Sequence, residues 1–540
     1  MPFTVYSAPS FWKRYYGRMV LKFVRLVRHS IQKYPVLWLA AICSILFFTT
    51  SFVDFHTSGP FGDEPHYLVI SQTLLKYHSL EVTLDYTHRD YYAFYPSHLD
   101  PHLSRNVYGQ LLPLHNIGGP VLWLIPFALF GRLGAMWFMS LVAVLIILNI
   151  YKLLLTMHIR HSYAFLVSLA YAIASPLFIY SHLNFIEPIG ALLCIYVFRK
   201  VLQETVSVSD VFLSSVCLGI LPWVHIRFAL LEVILFFALL FKIYQQNKYK
   251  NWKYYLWYLL PVMALFVFME VYSYKVWGSL DPALNYANEM VGVPVNLFAV
   301  LPFAGLLGNS FDQNYGLLVN FPLFIFLFVG MVLALKKKFL AYNVLILAVS
   351  IPYIILLTTF RDWSGALGPP ARFLVVLLPL WAFYLAYALE QINNTLSKLV
   401  FGGTVAYGLI YSLLSIKAPY NGFNSETGNG ILVYLQTLLH MHRHHLTAYF
   451  PSIFLPHQTR LFVVWIGLFV GFSILLIYSN SLQVKIKSFA GLPILSWRKQ
   501  KSVYRETSDE SNTSQHQNDL NKVIADETLL IETKQHTGER

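Results

Sequence analysis

Long apolar runs, separated by short polar segments, dominate this chain of 540 residues. The runs are continuous and do not alternate between apolar and polar positions, which is typical of helices and not of barrel strands. Several approach the roughly 20 residues that a helix needs to cross a bilayer. We therefore predict an all-α, polytopic integral membrane protein with about twelve transmembrane helices. The predicted crossings are residues 35–53, 133–155, 162–181, 188–202, 211–223, 228–241, 254–272, 316–335, 339–357, 373–389, 399–416 and 461–479.

Basic residues between the runs indicate how the chain is threaded, because lysine and arginine concentrate on the cytoplasmic side of a membrane protein. If the short run 118–130 does not cross, then Lys152, Lys200 and the triple lysine at 336–338 all fall inside, together with both termini. We therefore expect 118–130 to form an interfacial or re-entrant helix. Two further short runs, 211–223 and 228–241, either cross or re-enter as a pair, and both outcomes leave this topology unchanged.

Composition supports a membrane protein and removes other classes. Hydrophobic residues make up 56% of the chain and charged residues 12%, against about 25% charged residues in soluble proteins. The net charge of +13 is typical of basic cytoplasmic loops, so we expect no nucleic-acid partner. The three cysteines, Cys43, Cys194 and Cys217, lie within apolar runs and are interpreted as small hydrophobic residues.

The two ends of the chain differ from the membrane region. Residues 1–34 interleave basic with apolar side chains, which indicates an amphipathic segment on the cytoplasmic membrane surface, in contact with its lipids. Residues 35–480 form the predicted membrane domain. Residues 481–540 are predicted to be a cytoplasmic and largely disordered tail, because their later part is polar and highly charged.

The predicted topology places four sizeable segments outside, which begin at residues 54, 273, 358 and 417. The first outside loop, 54–117, holds many of the acidic residues, and we expect amphipathic interfacial helices within it. Acidic groups gathered at one interface suit general-base or cation chemistry there. The late outside segment, 417–460, has no readable motif but is a candidate for selecting an acceptor.

The sharpest feature is the segment 62–67, Gly-Asp-Glu-Pro-His-Tyr, just after the first apolar run. Pro65 suits the first turn of a helix, and Asp63 or Glu64 suits its cap. Acids also complement the positive end of a helix, so the spacing alone leaves a structural and a catalytic interpretation open. The helix that follows mixes apolar with polar residues, and we expect it to lie along the interface.

The segment 62–68 resembles the Asp-Glu motif in the first outside loop of GT-C class glycosyltransferases, which include the protein O-mannosyltransferases and the lipid A aminoarabinose transferases. The order of parts is similar along most of the membrane region. The resemblance implies an inverting enzyme that moves a sugar from a polyprenyl-phosphate donor to an acceptor hydroxyl at the outer face. It implies a bacterial inner (plasma) membrane, with an endoplasmic reticulum of the same topology as the alternative. Lipid, polysaccharide and protein are all acceptors that it allows.

The same resemblance gives roles to the residues of the motif. It assigns Asp63 the role of base, and it leaves Glu64 a supporting role in orienting the acceptor or binding a cation. His66 and Tyr67 are further substrate-binding candidates. No cofactor is expected, although the Asp-Glu pair suits weak binding of a divalent cation.

A departing phosphate needs positive charge beside it. Arg227 and Arg372 both fall near the ends of apolar runs on the predicted outer side, and a guanidinium group can donate two bonds to a phosphate. Contact with lipid headgroups is the structural alternative for both. His225 is a weaker candidate. Glu187 lies in a short outer turn, where it either faces the active cavity or caps the next helix.

Histidines raise the question of a metal. His440 and His444 have the spacing that places two ligands on one helix face. No third ligand is evident near them, so we expect a solvated helix end and no metal site. His102 and His115 belong to the first outside loop and have no stronger assignment.

Two other functions remain open at this stage. A carrier or flippase for a lipid-linked saccharide or other solute would place its essential charges in the middle of the membrane and often shows internal repeats. This sequence concentrates its charges at the outer interface. A non-catalytic assembly factor of the cell envelope is the third hypothesis.

Overall fold

The computed structural model describes residues 26, 29–246, 250–287, 302–360, 362–365, 367–392, 394–417, 428–441, 445–455 and 458–490. The chain divides into two units, 1–480 and 481–540. The described part of the second unit is the end of the last helix. Most of the predicted segment 1–34, and all of the chain after residue 490, lie outside the described residues, as does His444.

Helices form nearly all of the regular structure. In chain order the α-helices are α1 Pro35–Thr57, α2 Glu64–Tyr77, α3 Thr83–His88, α4 Gly118–Leu122, α5 Leu124–Thr156, α6 His161–Ile173, α7 Pro176–Tyr180, α8 Glu187–Leu202, α9 Val208–Val224, α10 Ala229–Gln245, α11 Trp252–Tyr272, α12 Leu284–Ala287, α13 Pro302–Phe311, α14 Leu317–Asn320, α15 Ile325–Leu333, α16 Leu340–Thr359, α17 Leu378–Gln391, α18 Thr395–Lys417, α19 Gly430–Leu438 and α20 Thr459–Ala490. A π-helical turn, Ser273–Trp277, follows α11, and short 3-10 turns include Asp90–Ala93, Ile226–Phe228, Pro322–Phe324, Lys337–Phe339, Arg372–Val376 and Leu446–Tyr449.

The prediction of an all-α, multi-pass membrane protein is confirmed. Within the described residues, six helices are long and apolar enough to cross a membrane. They are Pro35–Thr57, Leu124–Thr156, Trp252–Trp277, Lys337–Thr359, Thr395–Ile416 and Arg460–Ser479. The other predicted crossings also contain helix, but their helices are shorter or broken, so the count of twelve stays a prediction.

The short run 118–130 is helical, and its boundary with the next run is sharp. It contains α4 and the first turns of α5, and α5 is broken at Gly131, whose φ of 57° and ψ of −143° are not helical. After this break the carbonyl oxygen of Pro126 lies 1.8 Å from where a β-carbon on Gly134 would stand. The first part of α5 therefore folds closely against the part that follows Gly131.

Basic residues lie at the opposite end of the bundle from Arg372. The segment 372–391 consists of the 3-10 turn and α17, with Arg372 at its start. Near the end of this segment, the Lys336 ammonium donates to the hydroxyl of Tyr387 over 3.3 Å. There, too, Arg160 pairs with Glu390 at 2.5 Å. Arg372 and the start of the triple lysine are thus separated by the length of a helix.

The first outside loop is more enclosed than its sequence pattern predicts. The residues of α2 from Glu64 to Ser71 are buried, and Trp123 donates to the hydroxyl of Ser71 over 3.0 Å. The polar side chains in this half of α2 are covered by other parts of the protein. Two three-residue strands, β1 Leu103–Arg105 and β2 Leu111–Pro113, form an unpredicted antiparallel hairpin in which Ser104 pairs with Leu112.

The start of the predicted loop is helical as well. Asp54 belongs to the last turn of α1 and is buried, with its carboxylate 3.4 Å from the guanidinium of Arg132. Arg132 also donates to the carbonyl of Ser58 over 2.5 Å. These contacts join the end of α1 to α5 beneath the turn that leads to Asp63.

Candidate active site

The turn before α2 places Asp63 at the end of the bundle. Gly62 has a φ of 58°, and a β-carbon there would stand 2.3 Å from the carbonyl oxygen of Leu367. Only glycine fits both this left-handed conformation and this close approach. Asp63 is the residue before α2, but its side chain makes no capping hydrogen bond to the helix. The structural interpretation of Asp63 as a helix cap therefore does not describe its side chain.

Arg372 holds the carboxylate of Asp63. Its Nη2 donates to Asp63 Oδ2 over 2.5 Å, its Nε donates to Glu187 Oε1 over 2.9 Å, and its Nη1 donates to the carbonyl of Gly365 over 3.0 Å. The Arg372 side chain is 7% exposed, while that of Asp63 is 21% exposed. Asp63 is thus the more accessible partner of a nearly enclosed ion pair.

The loop before α17 is shaped to present this arginine. Ala371 has a φ of 57°, and its amide donates to the carbonyl of Tyr315 over 2.9 Å. The hydroxyl of Tyr180 donates to the carbonyl of Pro369 over 2.9 Å. The guanidinium carbon of Arg372 lies 4.6 Å from the centre of the Phe185 ring. These contacts fix the guanidinium plane from several directions.

A second arginine shares the same acceptor. Arg227, in the 3-10 turn between α9 and α10, donates from Nη2 to Glu187 Oε1 over 2.6 Å. Its guanidinium carbon lies 4.4 Å from the centre of the Phe373 ring. Glu187 is fully buried at the start of α8, where its charge is matched by both arginines. Four residues from four separate segments therefore form one chain of ion pairs, Asp63–Arg372–Glu187–Arg227.

The charges of this chain balance and keep Asp63 ionised. Burial alone would raise the pKa of Asp63, but the Arg372 guanidinium and the nearby imidazoles outweigh it, and the pKa lies well below its ordinary range. A carboxylate in this state accepts hydrogen bonds and protons, and it cannot donate a proton at neutral pH. This excludes a role as an acid, and a role as a base requires that the hold of Arg372 on Asp63 is released, because a lowered pKa weakens a base.

Glu64 points away from this chain. Its Oε1 accepts from the amide of Asn184 over 2.6 Å, and its Oε2 accepts from the amide of Phe61 over 3.2 Å. The residue is fully buried, and burial raises the pKa of its carboxyl to about 7. Orientation of an acceptor or weak cation binding by Glu64 stays a prediction, and the contacts within the structure are to backbone amides.

Three histidines stand beside Asp63. His102 and His115 are 3.1 Å apart between Nδ1 and Nε2, and His66 stacks on His102 with ring centres 3.6 Å apart. His66 also contacts the hydroxyl of Tyr86 at 2.7 Å. Burial holds the pKa of His66 well below its ordinary value, so it is neutral at pH 7. Tyr67 is buried, with its ring 4.8 Å from that of His115.

Asp63, His102 and His115 are also the group that fits a metal ion best among the described residues. Each offers one ligand atom, and these atoms lie within 4.8 Å of one another. Two imidazole nitrogens and one carboxylate oxygen make a ligand set that suits zinc and related divalent ions. The sequence pattern did not reveal this group, because its members are separated by 39 and 13 residues and meet only through the folding of the first outside loop.

His225 lies beside Arg227 in the same site. Its Nδ1 accepts from the amide of Arg227 over 3.2 Å, and its Nε2 lies 3.1 Å from the hydroxyl of Tyr286. Tyr286 in turn donates to the side chain of Asn116 over 2.8 Å. Burial lowers the pKa of His225 well below its ordinary value, so this histidine orients Arg227 as a neutral acceptor. Tyr286 and Asn116 were not identified from the sequence, since neither belongs to a motif.

An apolar cavity lies within the helix bundle. It has a volume of about 260 Å³ and lies between α13, α15, α16 and α17. Leu374, two residues after Arg372, lines one part, and Met331 and Tyr384 line another. Most of the other lining side chains are aliphatic or aromatic, including Leu318, Ile346 and Trp381. The cavity is therefore an apolar space, and Leu374 relates it in sequence to the start of the segment that carries Arg372.

The described structure brings together most of the residues selected from the sequence. Asp63, Arg372, Glu187 and Arg227 are in direct contact, and His225 contacts Arg227. His66 and Tyr67 lie beside Asp63 on α2. Glu64 belongs to the other side of the same turn. Pairing of Asp63 with Arg372 was not predicted, because 309 residues separate them and no local pattern records the contact.

No protein-family model and no curated protein matches the chain. Among solved structures, it is similar to the archaeal oligosaccharyltransferase AglB from Archaeoglobus fulgidus, in complex with an inhibitory peptide and a dolichol-phosphate, with 13% identity and a TM-score of 0.40. The match covers 72% of this chain and 56% of AglB, so the chain spans little more than half of that protein. It is also similar to ArnT from Cupriavidus metallidurans bound to undecaprenyl phosphate, with 13% identity, a TM-score of 0.42, and 82% and 76% of the two chains covered. Because both TM-scores are below 0.5, the function of this chain is inferred from its own residues.

Proposed function

We propose that this chain is an inverting GT-C class glycosyltransferase that moves a sugar from a polyprenyl-phosphate donor to an acceptor hydroxyl at the outer face of the cell inner membrane. The supporting observation is the contact between Asp63 and Arg372, with Arg227 reached through Glu187. One carboxylate and two guanidinium groups are the base and the phosphate-binding groups that such a transfer needs. They lie together at one end of the bundle, away from the triple lysine.

The arginines act on the departing phosphate. The acceptor oxygen attacks the anomeric carbon of the sugar, the bond from that carbon to the phosphate oxygen breaks, and polyprenyl phosphate leaves with the bonding electrons. Arg372 and Arg227 stabilise the negative charge that grows on the phosphate. Attack from the face opposite to the phosphate inverts the configuration at the anomeric carbon. No acid is required, because a phosphate leaves without being protonated.

Asp63 receives the proton that the acceptor hydroxyl loses. Before the donor binds, Asp63 Oδ2 accepts a hydrogen bond from Arg372. A phosphate competes for the same guanidinium, and its arrival frees that oxygen for the acceptor hydroxyl. Binding of the donor thus prepares the base, which favours an ordered reaction with the donor first.

The apolar cavity provides a place for part of the lipid tail. It passes Leu374, close to Arg372, and continues between α15, α16 and α17. A polyprenyl chain is entirely apolar and gains free energy when it leaves water or packs against such walls. A tail in this cavity brings the phosphate of the same molecule to the arginines.

The proposed reaction uses the guanidinium groups of Arg372 and Arg227 to bind the phosphate and invokes no metal ion. Asp63, His102 and His115 fit a divalent ion, which would supply further positive charge beside the acceptor hydroxyl. We expect transfer to persist after dialysis against a chelator. Loss of transfer on chelation, with recovery on adding zinc or manganese, would contradict this and assign the three residues as metal ligands.

Transfer by the purified protein tests the proposal. The protein is incubated with radiolabelled polyprenyl-phosphate sugar and with membrane lipid, polysaccharide and protein acceptors, and labelled product is measured. We expect Asp63→Asn to abolish transfer while binding of polyprenyl phosphate persists. Asp100→Asn is the matched control, since Asp100 is an acid of the same loop with 93% of its side chain exposed. It should leave transfer unchanged.

A carrier gives a different result in the same system. In vesicles, a carrier or flippase moves the labelled lipid between leaflets and forms no labelled product. Such movement without transfer would reject the proposed function, and transfer that survives Asp63→Asn would reject Asp63 as the base.

A further inference from the structure

Glu64 joins two turns that lie far apart in the sequence. Its two carboxylate oxygens accept from two different backbone amides, those of Phe61 and Asn184. Phe61 belongs to the turn that carries Asp63, and Asn184 belongs to the turn that leads to Glu187. A single buried side chain therefore fastens the turn of one acid to the turn of the other.

The hydrogen bonds of Glu64 and those of Arg372 connect the same two turns at two different places. Asp63 and Glu187 both accept from the guanidinium of Arg372, so the two turns already meet on the accessible side through this arginine. Glu64 joins the same two turns on the buried side. The relative position of Asp63 and Glu187 is thus fixed at two points, and neither point alone prevents the turns from rotating.

A glutamate side chain suits the role of joining the two turns. Its two carboxylate oxygens are separate acceptors, so each can accept from one of the two uncharged backbone amides. Glutamine would keep one acceptor and would place an NH2 group against the second amide, leaving that amide without a partner. Alanine would remove both hydrogen bonds. Because Glu64 is fully buried, its hydrogen bonds lie inside the protein and its side chain is not exposed to the solvent.

We propose that Glu64 is a positioning residue that fixes Asp63 against Arg372 by tying the Asp63 turn to the Glu187 turn. This inference rests on the proposed function, because it concerns the alignment of the proposed base. Glu64 does not touch the substrates in this role, and it exchanges no proton with them. Its loss lets Asp63 move away from the acceptor hydroxyl while Arg227 and Arg372 still contact the phosphate.

Steady-state transfer by Glu64→Gln and Glu64→Ala tests the proposal. Each lost hydrogen bond weakens the link between the Asp63 turn and the Glu187 turn. We therefore expect kcat to fall about tenfold in Glu64→Gln and about a hundredfold in Glu64→Ala. The KM for the donor should stay within about threefold, since phosphate binding is left to the arginines. Asp85→Asn is the matched control, because it neutralises another fully buried acid of the same loop and should leave kcat unchanged.

Amide hydrogen exchange provides a readout that does not depend on transfer. Peptides that contain Phe61 and Asn184 should exchange faster in both Glu64 variants than in the natural protein, and peptides from α16 should not change. Asp85→Asn should leave the exchange of both turns unaltered. A variant that unfolds would accelerate exchange in α16 too, and the milder Glu64→Gln then carries the comparison.

Three results would overturn the role of Glu64. Equal losses of kcat in the Gln and Ala variants, together with a lost limb of the pH profile, would make Glu64 an acid or base. Unchanged exchange at Phe61 and Asn184 would remove the tie itself. A rise in donor KM with an unchanged kcat would place Glu64 in donor binding. If instead the natural protein makes no product while exchange responds as expected, the proposed function fails and the tie stands.

Discussion

Arg372 takes part in both steps of the proposed chemistry, because it holds the proposed base, Asp63, and is proposed to bind the phosphate. It donates to Asp63, to Glu187 and to a backbone carbonyl in three directions at once. A lysine ammonium cannot reach three acceptors with this geometry, because its donors diverge from a single nitrogen. Arg227 has a narrower role, since its described ion pair is with Glu187.

The two arginines should therefore differ when each is changed to lysine. We expect Arg372→Lys to lower kcat/KM for the donor by at least about a hundredfold, because it loses both the fork for phosphate and the hold on Asp63. Arg227→Lys should cost about tenfold and act mainly on KM. Transfer rates measured over a range of donor concentrations separate these effects. Equal effects of the two changes would contradict the arrangement described.

Asp85 provides a test of the electrostatics outside the ion pairs. It is fully buried in α3, and burial, with a smaller effect of Asp90, raises the pKa of its carboxyl to about 7. The folded protein therefore holds this proton more tightly than the unfolded chain, whose aspartate titrates near pH 4. Stability from this residue is complete below about pH 4 and is lost as the pH rises toward about 7.

We expect Asp85→Asn to remove this loss of stability at high pH. Asparagine is neutral at every pH, so the variant should unfold at a higher temperature than the natural protein at pH 8, and the difference should shrink as the pH falls to 4. At about 1.4 kcal/mol for each pKa unit, the difference in unfolding free energy at pH 8 is on the order of 2 to 4 kcal/mol. Thermal unfolding of the solubilised protein at several pH values measures it. An equal difference at pH 4 and pH 8 would show that folding does not raise the pKa of Asp85.

Individual residues of the site could be selected from the sequence, but their contacts could not. Asp63 stood out through its motif, and Arg227 and Arg372 stood out because they are basic on the side where basic residues are rare. The ion-pair partner of each of these residues is distant in the sequence, and the spacing of residues along the chain does not reveal which residue the partner is. Glu64 shows the limit clearly: it neighbours Asp63 in the chain, yet its side chain turns to Asn184, which lies 120 residues away.

At the scale of elements, the turn before α2 determines where the base stands. Gly62 adopts a positive φ and lies against the carbonyl of Leu367, in the loop that carries Arg372. The turn of Asp63 and the loop of Arg372 therefore touch through the backbone as well as through the ion pair. A side chain at residue 62 would push them apart.

Gly62→Ala should accordingly reduce transfer without preventing folding. A β-carbon would stand 2.3 Å from the Leu367 oxygen, so one of the two backbones must move. We expect transfer to fall more than about tenfold, and stability to fall by about 1 to 3 kcal/mol. Gly109→Ala is a matched control, because Gly109 also has a positive φ, of 84°, but has no atom within 4 Å of the added carbon. A similar loss of transfer in both variants would mean that strain alone, and not the contact with Leu367, causes the effect.

Elements were predictable in proportion to their length. The long apolar runs predicted α1, α5, α11, α16, α18 and α20, because a continuous run of that length has few other stable forms in a membrane. The hairpin of β1 and β2 was missed, since each strand has only three residues and its pairing depends on the folded loop around it. Burial of α2 was missed for a related reason: its polar side chains are covered by residues distant in sequence, with Tyr86 and His102 against His66 and with Trp123 against Ser71.

At the scale of the whole molecule, the arrangement of charge distinguishes an enzyme at a surface from a carrier. Carriers hold their essential charges near the middle of the membrane, where both sides can reach them in turn. Here the chain of ion pairs lies at one end of the segment 372–391, and Lys336 and Arg160 lie at the other end. The molecule is therefore charged at both ends of this segment, with the Asp63–Arg372–Glu187–Arg227 ion pairs at one end and Lys336 and the Arg160–Glu390 pair at the other.

This arrangement predicts which compartment each end faces. Cysteines are introduced in place of Asp100, beside the proposed site in the first outside loop, and in place of Lys337 within the triple lysine; both positions are exposed. In intact cells, a membrane-impermeant thiol reagent should label the cysteine at position 100 and not the one at position 337, while a permeant reagent should label both. Cys43 and Cys194 are buried, so they contribute little background. Because a donor lipid and its acceptor must reach Asp63 from the same aqueous side as Arg372, labelling of both positions from outside would place the site and the lysines in one compartment and remove the basis for transfer at the outer face.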